Sequence, residues 1–338
     1  MALLDMIPPA ATPEFLAAAG WAGAVVTPLA GDASFRRYFR VRDGEGDAAR
    51  IAVLMDAPAP HEDPKPFIAI ARYLCDHGFN APRILAADLD HGLVLIEDFG
   101  DRLMREVVET NPELERSIYR DCVDLLVALA KLPPADVPPY DMAHYLREVG
   151  LLTEWTVPAL GLSVDEAGYE AAWRDVMQPV IAQGLTTTVL RDYHAENIMM
   201  LGGDAASGQW DALGLLDFQD ALVGHPAYDL VSLLQDARRD VSAAMEQEML
   251  DHYCAQTVQG EAFRAAYAVL GAQRNAKIIG IFTRLARRDG KDRYLAMIPQ
   301  MWALLERDLE HPALAPVADW FAKNIPPELR VAPSDGAA

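Results

Sequence analysis

Cysteine is scarce: Cys75, Cys122 and Cys254 are the three in 338 residues, widely spaced and without a C-x-x-C pair. That usage excludes a disulfide framework and argues against a zinc site, leaving reduced, mostly buried thiols. Long apolar runs are missing as well. No stretch of eighteen apolar residues occurs, so no membrane-spanning helix and no membrane partner are expected. The opening MALLDMIPPAATPEF has acidic Asp5 and no basic segment before its short apolar run, so no secretory signal is expected and a soluble, cytoplasmic protein follows. Basic residues are outnumbered, 29 against 50 acidic, for a formal charge of -21. A polyanion would be repelled, which excludes a general nucleic-acid binder but leaves room for a local positive pocket around a small phosphate. Neither G-x-G-x-x-G nor a Walker A motif is present, and there is no repeat, coiled coil or low-complexity block.

What is there suits a folded chain. Hydrophobic residues make up 51% and charged residues 23%, and the length accommodates two lobes around sizeable cores. In TPEFLAAAGW, Thr12 is the expected N-cap, Pro13 the first helical residue and Gly20 the stop. FRRYFRV and RIAVLM flank the turn RDGEGDAA and read as a hairpin. DPKPFIAIARYLCDHG places Phe67, Ile70, Ala71 and Leu74 on one helical face. RILAADLD and GLVLIED read as two further strands. Beyond Gly100 the texture becomes helical: LERSIYRDCVDLLVALAKL, MAHYLREVGLLTEW and EAGYEAAWRDVMQPVIAQG, then helices near 227–237, 244–256, 260–288 and 291–307, with a Pro-rich tail expected to fray. The organisation is α+β, a small mixed β-sheet lobe followed by a larger, mainly helical one.

Chemistry concentrates in VLRDYHAENIMM, residues 189–200. A β-like run stops at Arg191, polar residues follow, and Ile198 resumes an apolar strand. A loop anchored at both ends can fix its side chains. Twenty-five residues after Asp192, Asp217 closes the apolar strand of LGLLDF, where an uncompensated carboxylate would be costly. Asp192, Asn197 and Asp217 supply hard oxygens of the kind magnesium takes alongside waters and nucleotide phosphates. Such a set serves phosphoryl transfer, with one carboxylate orienting an acceptor hydroxyl and the others on the metal. His194 reads as either a structural residue hydrogen-bonded within the loop or a catalytic one, Asp229 as structural, and Glu196 and Asp220 as either substrate-facing or solvated.

The ordered pair LRDYHAEN and LLDF resembles the H-R-D-x-x-x-x-N and D-F-G elements of the protein-kinase fold. It is more similar to the pattern of the aminoglycoside phosphotransferase and choline kinase branch. The resemblance implies a bilobal protein-kinase-like fold using ATP and Mg2+, with Asp192 catalytic and Asn197 and Asp217 the metal ligands. Leu190 stands where the family has a histidine, and Gln219 replaces the final glycine of D-F-G. The implied division is a nucleotide-binding lobe over 1–97, a hinge over 98–103 and a catalytic, substrate-binding lobe over 104–338.

Such a kinase needs a turn over the phosphates, a cationic anchor and a hinge. Gly31, Asp32, Ala33 and Ser34 in PLAGDASFRRYFRV fit the turn. Met55 stands about where the usual lysine would, and the helix after it has no glutamate partner, so Arg36, Arg37 and Lys65 are the candidate replacements. Glu97, Asp98 and Phe99 in VLIEDFGD are the expected adenine contacts. Within the branch, GDASFRRYFRV, VLMDAP, VLRDYHAEN and LGLLDFQDALVGHPAYDLVSLL look like the bacterial cell-wall sugar kinases. That likeness runs over roughly 10–325. It implies a monomer that phosphorylates the anomeric hydroxyl of N-acetylmuramate and N-acetylglucosamine, the α-1-phosphate passing to a uridylyltransferase in peptidoglycan recycling. Arg238, Arg239, Arg284, Arg287 and Arg288 are candidates for the muramate carboxylate. Two readings compete. One is an aminoglycoside, choline or homoserine kinase using Asp220, Tyr228 and Trp173 for a cationic substrate. The other, suggested by Met55 and Leu190, is a nucleotide-binding scaffold without turnover.

Overall fold

The computed structural model describes residues 6–31, 35–201 and 210–333. Asp32, Ala33 and Ser34 of the expected phosphate turn lie outside the described residues, while Gly31 ends a strand. In chain order the elements begin α1 (Thr12–Ala18), β1 (Val25–Gly31), β2 (Arg37–Asp43), β3 (Arg50–Asp56), α2 (Lys65–Asp76), β4 (Ile84–Asp88) and β5 (Leu93–Glu97). Next come α3 (Met104–Thr110), α4 (Glu115–Leu129), α5 (Met142–Leu151), α6 (Val157–Ala159), α7 (Glu166–Ala182), β6 (Thr187–Val189) and β7 (Ile198–Met200). The chain continues with β8 (Leu213–Leu215), β9 (Leu222–Gly224), α8 (Ala227–Leu234), α9 (Ala243–Thr257), α10 (Glu261–Asp289), α11 (Ile298–Leu309) and α12 (Ala315–Asn324). By internal packing it divides into two units, Met1–Leu114 with Glu196–Asp220, and Glu115–Ala195 with Ala221–Ala338.

The first unit is built on a five-stranded antiparallel sheet in the order β1-β2-β3-β5-β4. Side chains alternate across a strand, and the two faces have different uses. Phe39 and Val41 of β2, Ala52 and Leu54 of β3, and Leu93 and Leu95 of β5 pack with Phe15, Leu16 and Trp21 in one core. By the same alternation Tyr38, Val53, Met55 and Ile96 share the opposite face. The α2 face holds as read from its spacing, with Phe67, Ile70, Ala71 and Leu74 buried. Thr12 is already helical, because its amide closes a turn on the Pro9 carbonyl at 3.0 Å, so the cap moves back to Ala11. Later segments join this unit: β7 pairs with β8, and Asn80 Nδ2 donates to the Leu213 carbonyl at 3.1 Å. Gly214 is required there, since a Cβ would meet the Phe99 ring at 2.8 Å.

The second unit is helical around α10, a 29-residue helix buried along most of its length. A helix apolar on all sides is a core helix, and α10 packs against α5, α7, α8 and α11. At Gly280 it approaches the turn after α5 so closely that a Cβ would fall 2.4 Å from the Leu151 carbonyl carbon. The two-stranded pair β6 and β9 lies in this unit. No helix among the described residues is long and apolar enough to cross a membrane.

Candidate active site

The polar loop after β6 does lie between two short strands, but these do not pair with each other. β6 pairs with β9 in the second unit and β7 with β8 in the first. Asp192 therefore belongs to the helical unit, and Asn197 and Asp217 to the sheet unit.

In the sheet unit, Asn197 and Asp217 come together, Asn197 Nδ2 donating to Asp217 Oδ2 at 3.5 Å. Asp217 has φ 56°, the left-handed region that a non-glycine residue occupies at a cost of about 1–3 kcal/mol and that clusters at functional sites. The conformation is held from three sides. Gln219 Nε2 donates to Asp217 Oδ1 at 2.9 Å, the Leu216 amide donates to the Asn197 carbonyl at 2.9 Å, and Phe218 stacks on Phe67 of α2 with centroids 5.1 Å apart. Gln219, which stands in place of a glycine, thus orients the carboxylate. Glu196 is engaged by Arg105, Nη1 to Oε1 3.2 Å.

Asn197 and Asp217 line a cavity of about 350 Å³ together with Leu29, Tyr38, Val53, Phe67, Ile96 and the expected hinge residues Glu97, Asp98 and Phe99. Apolar walls with a few convergent polar groups suit a flat aromatic base. A larger cavity of about 600 Å³ shares Glu97, Asp98, Phe99 and Gly100 as a wall but lacks Asn197 and Asp217. The donor chemistry fits magnesium. Both side chains offer the hard oxygen that an ion keeping waters and taking phosphate oxygens needs from a protein.

The hinge differs in detail from its sequence reading. Arg40 of β2 clamps it, Nε to Asp98 Oδ2 at 2.6 Å and Nη2 to Asp101 Oδ1 at 2.8 Å. The Asp98 carboxylate is thereby committed within the unit, leaving its backbone for a ligand. Of the proposed cationic anchors, Arg36 pairs with Glu62 at 3.0 Å and Arg37 with Asp56, Nε to Oδ2 2.7 Å. Lys65 is exposed at the start of α2. Met55 is buried opposite Tyr38 and Val94, and no lysine or arginine lines the smaller cavity.

In the helical unit, Asp192 follows a residue held through its amide, its carbonyl and its guanidinium. Arg191 has φ 73°. Its amide and that of Leu190 donate to Asp229 Oδ1 and Oδ2 at 2.8 and 2.7 Å, and its carbonyl accepts from Ser232 Oγ at 3.2 Å. Asp229 is structural, as read, but it satisfies the amides of Leu190 and Arg191 rather than those of its own helix. Burial pushes its carboxyl up to about 7 against the pull of those two amides. The Arg191 guanidinium meets the buried Glu148 of α5 and lies 5.6 Å from the Tyr140 ring. Glu148 also takes Lys277 Nζ at 3.0 Å, Gln273 Nε2 at 3.1 Å and the Tyr140 hydroxyl. Burial would raise the Asp192 carboxyl, but Lys277, His194, Arg274 and Arg191 hold it below its ordinary value. Burial drives His194 down to about 4, so it is neutral near pH 7. Its Nε2 lies 3.4 Å from Arg238 Nη1, a partner outside the loop.

Glu148, Arg274 and Lys277 were not singled out in the sequence. The signal was available in AQRNAKIIG, where Gln273, Arg274, Asn275 and Lys277 fall between the apolar runs AAYAVLGA and IIGIF of α10. Polar groups in such a helix must be paired or used.

Residues 25–268 match the family described as phosphotransferase enzyme family. The N-acetylmuramate/N-acetylglucosamine kinase of Caulobacter vibrioides is 35% identical, the alignment covering 95% of this chain and 98% of that one. Among solved structures, the choline/ethanolamine kinase family protein from Mesorhizobium loti is similar at TM-score 0.59 and 16% identity, covering 91% of this chain and 97% of that one. The aminoglycoside phosphotransferase APH(2'')-Ib, solved with ADP bound, is similar at TM-score 0.55 and 16% identity, covering 83% and 92%. The two-lobed α+β fold is that of these kinases.

Proposed function

The chain belongs to the phosphotransferase enzyme family, and from that membership we propose that it transfers the γ-phosphoryl group of ATP to the anomeric hydroxyl of N-acetylmuramate and N-acetylglucosamine. The products would be the α-1-phosphates, consumed by a sugar-1-phosphate uridylyltransferase during peptidoglycan recycling. One observation carries the reading: 35% identity to an N-acetylmuramate/N-acetylglucosamine kinase over nearly the full length of both chains.

The residues take the following parts in this proposal. The base enters the cavity walled by Leu29, Val53 and Ile96, against the backbone of residues 97–99. Asn197 and Asp217 hold the magnesium ion, which when bound screens phosphate charge. Asp192 accepts a hydrogen bond from the C1 hydroxyl, aims its oxygen at the phosphorus and takes its proton as the new bond forms. A carboxylate kept ionised by Lys277, Arg274 and Arg191 is always ready to accept that bond, and transfer through a loose transition state asks more for positioning than for a strong base. Gly31, Asp32, Ala33, Ser34 and Arg36 remain the proposed phosphate turn.

The surroundings of Asp192 weigh against a cationic acceptor. Arg191, Lys277 and Arg274 would repel one, Lys277 already lies 5.8 Å from the Tyr228 ring, and Trp173 is buried in the core. The test is ADP release with Mg-ATP and, separately, N-acetylmuramate, N-acetylglucosamine, choline and kanamycin. Turnover with the two amino sugars is expected; turnover confined to choline or kanamycin would overturn the proposal.

A further inference from the structure

Arg274 is 4% exposed, yet its guanidinium makes one hydrogen bond among the described residues, from Nη1 to the Gln235 carbonyl at 3.5 Å, and has no carboxylate within ion-pair distance. That engages one of the five N–H donors a guanidinium carries. Buried charges are normally paired, and leaving one unpaired costs several kilocalories unless something completes it. The nearby acids are already committed: Asp229 to the Leu190 and Arg191 amides, and Glu148 to Arg191, Lys277, Gln273 and Tyr140. Lys277 lies three residues along α10, on the same face as Arg274. Its ammonium spends two of three donors, on Glu148 and on the Tyr228 hydroxyl at 3.2 Å. The helix thus presents two cations with spare donors in the unit that carries Asp192, and both act on the Asp192 carboxyl. In a chain of net charge -21, two neighbouring cations with spare donors suit an anionic ligand group.

We propose that Arg274 and Lys277 form a carboxylate subsite that receives the lactyl group of N-acetylmuramate, a specificity determinant that rests on the sugar-kinase reading above. Of the arginines suggested by sequence, Arg239 is paired with Glu115 and Arg288 with Asp289. Arg274, which was not among them, keeps donors for a bidentate partner in the unit that carries Asp192. The same cations could instead face the phosphoryl group in transit, and the experiment separates the two.

Steady-state kinetics are measured on the unaltered protein, Arg274→Gln, Arg274→Lys and Lys277→Met with three acceptors: N-acetylmuramate, its neutral lactyl amide and N-acetylglucosamine. A charge-assisted hydrogen bond corresponds to a preference of about tenfold to a hundredfold in kcat/KM for the acid over the amide. The unaltered protein is expected to show that preference, Arg274→Gln and Lys277→Met to lose most of it through KM, and Arg274→Lys to recover part. An acid-to-amide ratio unchanged in Arg274→Gln overturns the subsite. Both cations also act on Asp192, so a common fall in kcat is expected of each variant. An equal loss of kcat/KM on all three acceptors leaves the acid-to-amide ratio unchanged and so overturns the subsite, pointing to the phosphoryl group or to a structural role, which the thermal midpoint then distinguishes. Phosphorylation of N-acetylglucosamine by the unaltered protein tests the kinase reading separately. No turnover of either sugar overturns both.

Discussion

Replacing Glu148 with glutamine probes how the loop bearing Asp192 is held. Glu148 is 6% exposed and is the only carboxylate within ion-pair distance of Lys277 among the described residues. Burial alone would raise its carboxyl, but Lys277, Arg191 and the Tyr140 hydroxyl bring it from 4.5 to about 2. At about 1.4 kcal/mol per pH unit, that drop corresponds to about 3 kcal/mol of folding stability. Removing one partner of a buried ion pair independently suggests about 3–5 kcal/mol, because the cations stay buried without it. The folded carboxyl lies below its unfolded value, so the contribution is complete above about pH 5 and is lost as pH falls toward 2. Urea unfolding followed by tryptophan fluorescence should show Glu148→Gln less stable by about 3 kcal/mol at pH 7 and by only about 1 kcal/mol at pH 3. Turnover should fall as well, since the left-handed conformation of Arg191 loses its side-chain anchor. A difference below about 1 kcal/mol at pH 7, or one that does not shrink on acidification, would refute the reasoning.

Two further substitutions probe the sheet unit. Asp217→Asn keeps the shape while removing charge from the metal site, so the magnesium concentration for half-maximal activity should rise and kcat should fall by about a hundredfold or more; a magnesium titration with the normal midpoint would contradict the assignment. In Gly214→Ala the added Cβ would sit 2.8 Å from the Phe99 ring. We expect about 1–3 kcal/mol of destabilisation from overpacking and weaker ADP binding by calorimetry, because Phe99 lines the smaller cavity; unchanged affinity would separate Phe99 from the nucleotide.

Much of the sheet unit was legible because its signals are local. The hairpin of β2 and β3 and the buried face of α2 follow from alternation, helical spacing and turn residues over short windows. Asp217 was legible for a different reason, since a carboxylate closing an apolar strand is costly without a use, and Asn197 from its position five residues after Asp192, ahead of β7. The rest depends on long-range packing. The Arg40 clamp joins residues 58 apart, and Glu148 meets Lys277 across more than a hundred residues, so no window contains either. The strands flanking Asp192 were recognised but not their partners, because pairing β6 with β9 and β7 with β8 is decided by the two separate units. Arg274 and Lys277 went unnoticed since an arginine or lysine on a helix is usually solvated, and only burial distinguishes these two. α3 and α12 do carry the spacing of a buried helical face, in Met104, Val107 and Val108 and in Val317, Trp320 and Phe321, but over windows of two or three turns that a short apolar run does not distinguish from a loop.

The central claim is phosphorylation at the anomeric hydroxyl with Asp192 holding the acceptor. It is tested most directly by phosphorus NMR of the pure protein with Mg-ATP and 6-deoxy-N-acetylglucosamine. The account predicts a sugar phosphate resonance coupled to the anomeric proton, reduced in rate by about a hundredfold or more in Asp192→Asn, which still binds ADP. A phosphate that forms only when the 6-hydroxyl is present, or formation at the normal rate in Asp192→Asn, would contradict it.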